Sequence, residues 1–209
     1  MLDPLLRRIA APALDRLASR LVHLGVHANV VTLIGFGIGL SVIPALALQE
    51  YGFAIGAILL NRLADGLDGP MARQHTGQSQ GTAFGSVLDI VCDFIFYASV
   101  PLGFALSDPS LALWATLLLF SFTGTGSSFL AFAIMAARHN LSLDGELEKS
   151  PSSKGFYYLG GLTEGSETIG VFIACCLWPE YFSWFAGGFA AACLLTTLSR
   201  IYTAFSRLT

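Results

Sequence analysis

Long apolar runs separated by short polar segments dominate the chain. The first run, Val30 to Leu48, has 19 residues and no charge, which is close to the roughly 20 residues that a helix needs to cross the hydrocarbon core of a membrane. We predict that it forms one unbroken helix. Five further runs are predominantly apolar: Tyr51–Ala72, Thr82–Leu106, Leu111–Ala137, Phe156–Leu177 and Tyr181–Phe205. The pattern predicts six membrane-spanning helices.

The segment before the first run has a mixed pattern. Between Leu2 and Leu24, leucine and isoleucine recur at roughly helical spacing, with arginines between them. A basic amphipathic helix of this kind is typical of a segment that lies along a membrane surface, with its arginines toward anionic headgroups. A terminal helix packed against the bundle is the alternative. The chain is therefore divided into residues 1–29, an amphipathic juxtamembrane helix and linker, and residues 30–209, a six-helix transmembrane domain.

Composition narrows the class of protein. The chain has 209 residues, of which 54% are hydrophobic and 12% are charged, whereas roughly 25% of the residues in a soluble domain are charged. This argues against a soluble two-domain enzyme and against a disordered chain. The eleven Lys and Arg residues are too few and too scattered for a nucleic-acid footprint. We predict an all-α integral membrane protein with no nucleic-acid partner.

The basic residues predict the orientation of the spans, because Lys and Arg accumulate in cytoplasmic segments. Apart from Arg62, which lies inside the second span, every basic residue falls before the first span, between even- and odd-numbered spans, or near the C-terminus. The three opposite connections contain Glu50, Asp108 and Glu180 and no Lys or Arg. Six spans with both termini in the cytoplasm satisfy this distribution.

The cysteines lie within apolar runs. They are Cys92, Cys175, Cys176 and Cys193, and none has Cys-x-x-Cys spacing. We interpret them as small core residues rather than as disulfides or zinc ligands.

Four aspartates lie inside the second and third predicted spans: Asp65, Asp68, Asp89 and Asp93. A carboxylate at the centre of a membrane helix costs about 3 kcal/mol on insertion scales, so each needs a partner or a wet cavity. Within each pair the residues are three or four positions apart and share one helix face. Two antiparallel helices would place both pairs at one depth, a few turns below the cytoplasmic surface. Oxygen ligands without His or Cys favour Mg²⁺ or Mn²⁺, and less strongly Ca²⁺.

The residues around the aspartates indicate a ligand that carries phosphate. Gly66 and Gly69 allow close approach to the backbone, and Ala72 keeps the same face shallow. Arg73 offers a bidentate fork to phosphate, and Gly85 lies on the facing helix. Tight packing between membrane helices would also explain the glycines, but it would not explain the four aspartates.

Two segments of the chain, which contain the aspartates and the residues around them, resemble the signature of the CDP-alcohol phosphotransferase (CDP-alcohol phosphatidyltransferase) family. The matching residues are Asp65-Gly-Leu-Asp68-Gly69-Pro-Met-Ala72-Arg73 and Gly85-Ser-Val-Leu-Asp89-Ile-Val-Cys-Asp93. Every fixed position of the family pattern is present. Eleven residues separate Arg73 from Gly85, three more than the usual eight, and we assign the excess to a longer loop. Six spans after an amphipathic helix also resemble the family.

The resemblance implies transfer of a phosphoalcohol group from a CDP-linked donor to an alcohol, with release of CMP. CDP-diacylglycerol is the expected donor and glycerol 3-phosphate the expected acceptor, in phospholipid biosynthesis at a bacterial inner membrane. The active site would open to the cytoplasm, and the resemblance suggests a homodimer in which each protomer keeps its own site. Residues 30–209 would then be a catalytic domain.

The resemblance also assigns roles to individual residues. Asp65, Asp68 and Asp89 would hold a divalent metal, Mg²⁺ or Mn²⁺, at the donor's pyrophosphate. Asp93 would complete a second metal position and would be the general base for the acceptor hydroxyl. The nucleotide-binding residues would be Asp65, Gly69, Ala72, Arg73 and Gly85.

The acceptor site is assigned from charge alone. Lys154 and Arg200 lie near the predicted cytoplasmic ends of their spans, where a cation can bind an acceptor phosphate. Arg138 is more simply explained as a positive-inside anchor. Glu164 and Glu167, three residues apart in the fifth span, are expected to pair with Lys154, Arg200 or acceptor hydroxyls.

Alternatives remain within and outside this class. Within it, the acceptor is an inositol phosphate, a small polyol, serine, or a lipid that reacts with a soluble donor such as CDP-choline. Outside it, the aspartates form the cation pathway of a transporter, or the chain is a membrane scaffold. A transporter favours broken helices in paired halves, whereas the first span is expected to be unbroken. A scaffold leaves the four aspartates without a purpose.

Overall fold

The computed structural model describes residues 3–76, 82–138 and 163–208. Within these ranges every regular element is helical, which confirms the all-α class there. The helices are α1 (Asp3–His23), α2 (Ala28–Leu40), α3 (Val42–Ala47), α4 (Tyr51–Thr76), α5 (Ala83–Ser107), α6 (Ala112–Arg138), α7 (Gly165–Leu177) and α8 (Phe182–Leu208). Short 3₁₀ turns, Pro109–Leu111 and Pro179–Tyr181, lead into α6 and α8.

Four stretches of the described residues are long and apolar enough to cross a membrane: Ala28–Ala47, Ala83–Ser107, Pro109–Met135 and Pro179–Ser206. They correspond to the first, third, fourth and sixth predicted spans. Helix α4 has 26 residues, but its charged side chains reduce its apolar character. Helix α7 has 13 residues, because it begins at Gly165 after Glu164, whose backbone is extended; residues 156–162 of the fifth predicted span lie outside the described part of the chain. Spans two and five therefore stay predictions.

The first span is not one unbroken helix, so that prediction is wrong. Helix α2 ends at Leu40, and α3 begins at Val42 after a turn at Ser41. Pro44 is the physical reason, because it has no N–H to donate to the carbonyl of Leu40 and its ring crowds that carbonyl. The Ser41 hydroxyl donates instead to the carbonyl of Ile38 at 2.6 Å. Because the first span is broken, an unbroken helix can no longer be used as an argument against a transporter.

Helix α1 packs against α4. Ala18 of α1 is fully buried and belongs to an apolar cluster with Leu67 and Met71 of α4. The side chains of Arg16 and Arg20 are exposed. The structure thus has the arrangement given as the alternative, a terminal helix packed on the bundle, and a membrane-surface position for this helix stays a prediction.

The main core joins α5 to α7 and α8. Its largest fully buried side chains include Phe96 and Phe104 of α5, Phe172 of α7 and Phe182 of α8. The rings of Phe104 and Phe182 stack with their centroids 4.2 Å apart. Cysteines 92, 175, 176 and 193 are buried and free, as expected of core residues. The aromatic core packs around the C-terminal half of α5 and so fixes the helix that carries Asp89 and Asp93.

Large apolar side chains also cover the outside of the bundle. Leu113 and Phe120 of α6 are 74% and 63% exposed, and Trp184 and Leu198 of α8 are 81% and 62% exposed. Soluble proteins rarely expose contiguous apolar surfaces of this kind, whereas a lipid environment accommodates them.

Close packing of α2 on α4 and α5 predicts a strong difference between two glycines of α2. A Cβ atom at Gly39 would lie 2.8 Å from Asn61 Nδ2 and 2.8 Å from Phe96 Cδ2. We expect Gly39→Ala to lower the melting temperature in detergent, because overpacking costs about 1–3 kcal/mol and alanine gains only about 1 kcal/mol over glycine in a helix. Gly37→Ala is the matched control, since nothing lies within 4 Å of its Cβ position. Equal melting temperatures for both variants would contradict this packing.

Candidate metal and nucleotide site

The four aspartates line one small cavity between α2, α4 and α5. Asp65 and Asp68 approach it from α4, and Asp89 and Asp93 approach it from α5. The cavity has a volume of about 10 Å³, which corresponds to about one water molecule. Helices α2 and α3 each pack against both α4 and α5, and both aspartate pairs reach the same cavity and hence one level of the bundle, as their spacing predicts.

Hydrogen bonds position the carboxylates individually. The Thr32 hydroxyl of α2 donates to Asp68 Oδ2 at 2.7 Å. Asp65 and Asp89 face the same small cavity from different helices. Like charges that share so small a space are stabilised by a cation between them. In the arrangement that the structure describes, no group of three or more His, Cys, Asp or Glu residues is already set out as a metal site.

Arg62 is the positive charge within this cluster. Its Nη2 atom donates to Asp93 Oδ1 at 2.6 Å, and its Nη1 atom lies 3.4 Å from Asp65 Oδ2. The guanidinium also lies over the ring of Phe96, with its central carbon 4.6 Å from the ring centroid. A charge-assisted pair therefore links α4 to α5 inside the bundle.

Asn61 fixes the position of this arginine. Its side-chain oxygen accepts hydrogen bonds from Arg62 Nη2 at 2.6 Å and from Nε at 3.0 Å. Its side-chain nitrogen donates to the carbonyl of Gly35 on α2 at 2.9 Å. Asn61 is buried, so its amide connects the charged cluster to the backbone of a neighbouring helix.

A larger cavity adjoins the small one. It has a volume of about 280 Å³ and shares Thr32, Asp68 and Asp89 with the small cavity. Of the residues assigned to the nucleotide, four line it: Gly69, Ala72, Arg73 and Gly85. Asp65, the fifth, lines the small cavity instead.

The N-terminus of α5 forms one wall of the larger cavity. Thr82 caps this helix, and its side chain accepts from the backbone N–H of Gly85 at 3.1 Å. Thr82, Gly85 and Ser86 all line the cavity. The first turn of a long helix carries a partial positive charge that favours anionic groups.

Helix α4 extends to Thr76, beyond the expected end of its span at Ala72. Residues 77–81 of the connection to α5 lie outside the described part of the chain.

Three of the residues assigned to the acceptor, Glu164, Glu167 and Arg200, lie on or beside α7 and α8. Arg200 of α8 donates from Nη1 to the carbonyl of Thr125 at 2.8 Å and lies over the ring of Phe129. Glu164, the residue before α7, is close enough for its charge to attract Arg200. Glu167 follows in the first turn of α7. Lys154 lies outside the described residues, and so does the side chain of Arg138.

A family model described as CDP-alcohol phosphatidyltransferase matches residues 25–195, which include both aspartate pairs and the residues around them. The chain belongs to this family. It is therefore an enzyme of the class that transfers substituted phosphate groups, and the enzyme prediction is confirmed over the transporter and the scaffold.

Curated relatives of this phosphatidyltransferase cover nearly the whole chain. The inner membrane protein YnjF of Escherichia coli (strain K12) is 47% identical over 206 residues, or 98% of this chain and 96% of that protein. The phosphatidylinositol phosphate synthase of Mycobacteroides abscessus is 31% identical over 186 residues, or 88% of this chain and 73% of that protein. Together with the four apolar helices, this likeness identifies an integral membrane protein of phospholipid biosynthesis.

Solved structures show the same fold. Phosphatidylinositol phosphate synthase of Mycobacterium tuberculosis with CDP-DAG bound has a TM-score of 0.70 at 22% identity, covering 92% of this chain and 93% of that chain. The same synthase in complex with manganese and citrate has a TM-score of 0.64 at 23% identity, covering 92% and 88%. The site of this phosphatidyltransferase therefore lies on a helical framework that others share.

Sequence reasoning missed three polar residues of the site. Thr32, Asn61 and Arg62 lie outside the family signature, and each contacts an aspartate or holds a residue that does. Their signal was polarity inside an apolar stretch, since a buried Arg or Asn in a membrane helix requires a polar partner. The sequence alone does not identify the partner of each polar residue, because Asp93 lies 31 residues after Arg62 and Asp68 lies 36 residues after Thr32.

Proposed function

We propose that this enzyme transfers a phosphatidyl group from CDP-diacylglycerol to the hydroxyl of a small phosphorylated alcohol and releases CMP. The observation that carries the proposal is the pair of adjoining cavities, one lined by four carboxylates and the other bounded by a helix N-terminus and Arg73. Asp68 and Asp89 line both. A pyrophosphate at this boundary would have carboxylate-bound metal on one side and the nucleotide cavity on the other.

The carboxylates fit a divalent ion by their chemistry. Asp65, Asp68 and Asp89 offer hard oxygen ligands around a cavity of the volume of one water molecule. Asp65 and Asp89 line this cavity from different helices, so their like charges favour a cation between them. These three residues would hold Mg²⁺ or Mn²⁺, and the bound ion would neutralise charge that develops on the bridging oxygen of the donor. A second ion would need Asp93.

Asp93 is the proposed general base. Its ion pair with Arg62 uses Oδ1, so Oδ2 is not part of that contact. Asp93 takes the proton of the acceptor hydroxyl as the hydroxyl oxygen bonds to the phosphorus of the phosphatidyl group. The bond from that phosphorus to the CMP oxygen breaks, and CMP leaves. Atoms and charges balance without a covalent intermediate on the enzyme.

Around the nucleotide, this chain's own residues bind and orient the donor. Arg73 is exposed at the cavity, and its Nη1 atom lies 3.5 Å from the position of a Cβ atom at Gly69. Both residues line the larger cavity, so the guanidinium can bind a phosphate of the donor there. The N-terminus of α5 supplies a partial positive charge on the facing wall.

An acceptor that carries phosphate would bind near Arg200. We expect Arg200→Gln to raise the KM for such an acceptor by about 10- to 100-fold, the range that loss of a hydrogen bond to a charged group produces, while the KM for CDP-diacylglycerol changes little. Initial rates of CMP release at varied acceptor concentration measure this. Thr197→Val, on the same helix, is the control that should leave both constants unchanged. A parallel change in both constants in the arginine variant would contradict an acceptor role.

Topology and assembly complete the proposal. Six spans, an N-terminal helix at the membrane surface, and both termini with the active site in the cytoplasm accord with the distribution of Lys and Arg. The membrane would be a bacterial inner membrane, and the enzyme a homodimer, as the family resemblance suggests. Residues 1–29 and 30–209 keep the roles of juxtamembrane segment and catalytic domain.

The decisive experiment measures CMP release by the full chain in detergent or nanodiscs. CDP-diacylglycerol is supplied with Mg²⁺ or Mn²⁺ and a panel of acceptors: glycerol 3-phosphate, inositol phosphate, inositol, another small polyol and serine. The names of the mycobacterial relatives favour inositol phosphate, whereas the sequence alone favoured glycerol 3-phosphate. Metal-dependent CMP release with one phosphorylated acceptor is expected. No release with any acceptor, or turnover with inositol, the polyol or serine but not with the phosphorylated acceptors, would overturn the proposal.

A further inference from the structure

Helix α1 packs one of its faces against α4, on the side of α4 that is turned away from its aspartates. Leu14 lies so close to Gly66 that a Cβ atom on the glycine would be 3.2 Å from Leu14 Cδ1. Ala18 is fully buried in the cluster that contains Leu67. At about 3.6 residues per turn, Gly66 and Leu67 lie away from the helix face that carries the aspartate pair. Helix α1 thus braces the segment of α4 that supplies two carboxylates to the site.

The C-terminus of α1 sets the direction of this helix. Gly25 has a φ of +76°, and its N–H donates to the carbonyl of Val22 at 2.9 Å. The N–H of Val26 donates to the carbonyl of Leu21 at 3.0 Å, which completes the hydrogen-bond pattern of a Schellman motif. Helix α2 and the first candidate membrane span then begin at Ala28. Helix α1 therefore lies beside the point where the chain enters the membrane.

The rest of α1 combines exposed basic and exposed apolar side chains. Arg16 and Arg20 are exposed on the side opposite to Ala18, and neither forms a salt bridge with another described residue. Leu17 and Leu24 are seven positions apart on the neighbouring side and are 37% and 78% exposed. A helix at a membrane surface has this composition, because its leucines enter the acyl boundary and its arginines bind anionic headgroups.

We propose that the Arg16–Arg20 side of α1 binds the headgroups of anionic phospholipids, and that this contact holds α1 against the α4 segment that carries Asp65 and Asp68. Charge selects the partner, because a zwitterionic surface accommodates the leucines but offers the two arginines no net negative charge. The lipid composition of the membrane would then affect the site through the packing of α1 on α4. The inference goes beyond the proposed function, and only its activity measurement rests on that function.

Hydrogen exchange of the α1 amides tests the lipid contact without any turnover, because it reports how often this helix opens. The full chain is placed in nanodiscs of phosphatidylcholine, alone or with an equal amount of phosphatidylglycerol. We expect exchange in α1 to be about 25-fold slower in the anionic nanodiscs, or about fivefold for each arginine, and the difference to shrink at high salt. The double variant Arg16→Gln/Arg20→Gln should lose this difference. Arg16→Lys/Arg20→Lys, the matched control, should keep it.

The same lipid dependence in wild type and in the glutamine variant, or none in wild type, would overturn the lipid contact. Release of CMP, with CDP-diacylglycerol as a minor component of the nanodiscs, tests the effect on the site. In anionic nanodiscs the glutamine variant should be several-fold slower than wild type and the lysine variant, and all three should be equal in phosphatidylcholine alone. Equal rates in both lipids would show that α1 does not act on the site. If none of the three proteins releases CMP, the proposed function fails, whereas hydrogen exchange still decides the lipid contact.

Discussion

Replacement of Asp93 by asparagine is expected to lower the rate of CMP release by about 10²- to 10⁴-fold, the range that a general base contributes. Asparagine has nearly the same shape, and its side-chain oxygen can still accept from Arg62 Nη2, which lies 2.6 Å from Asp93 Oδ1. It cannot take the proton of the acceptor hydroxyl. Single-turnover release of CMP from CDP-diacylglycerol, at saturating acceptor and metal, measures the chemical step separately from binding.

The control must separate chemistry from folding, because the substitution removes the negative charge closest to the partly buried Arg62 guanidinium and so lowers stability. Arg62 keeps its approach to Asp65 in this variant, so we expect the protein to fold with a lower melting temperature. Asp108→Asn makes the same chemical change at the opposite end of α5, where the side chain accepts from the backbone N–H of Ser110, and should keep full activity. A folded Asp93→Asn variant with the wild-type rate would show that the proton goes to another group.

Much of the site could be predicted from the sequence because it depends on residues that lie close together along the chain. The spacing of the aspartates within α4 and within α5 fixes their helix faces, and the short connection keeps the two helices close to each other, with α2 packed against both. The small cavity lined by all four carboxylates follows from those two facts. The larger cavity likewise contains Gly69, Ala72, Arg73 and Gly85, whose roles came from the family signature.

The remaining features depend on contacts between distant parts of the chain. Arg62 is the exception to the distribution of basic residues, and its ion pair forms with Asp93 one helix later. An arginine inside a span, away from the cytoplasmic segments in which basic residues accumulate, already indicates an anionic partner, since a buried arginine requires one. The break at Ser41 follows from Pro44, a local signal that the absence of charge in that run does not offset. The position of α1 depends on packing against α4, which the amphipathic pattern alone does not distinguish from a membrane surface.

The two cavities meet at Asp68 and Asp89, and this boundary predicts how metal and nucleotide binding are coupled. Asp89 reaches both cavities from α5 and shares the small one with Asp65. A side chain that holds the metal and also borders the nucleotide should affect both ligands when it is changed. A residue of only one cavity should affect one.

Asp89→Asn is therefore expected to weaken Mn²⁺ binding by at least about 100-fold, since even residues that only hydrogen-bond to a metal ligand contribute about 10- to 100-fold. Thr32→Val removes such a hydrogen bond to Asp68 and should weaken Mn²⁺ binding within that lower range. Ser86→Ala, which changes a side chain of the larger cavity alone, should leave Mn²⁺ affinity unchanged. Titration of Mn²⁺ and measurement of the KM for CDP-diacylglycerol in the three variants test this order. If Asp89→Asn binds Mn²⁺ as wild type does, the carboxylate is not a ligand; if it loses Mn²⁺ but keeps the donor KM, the two cavities are not coupled through this residue.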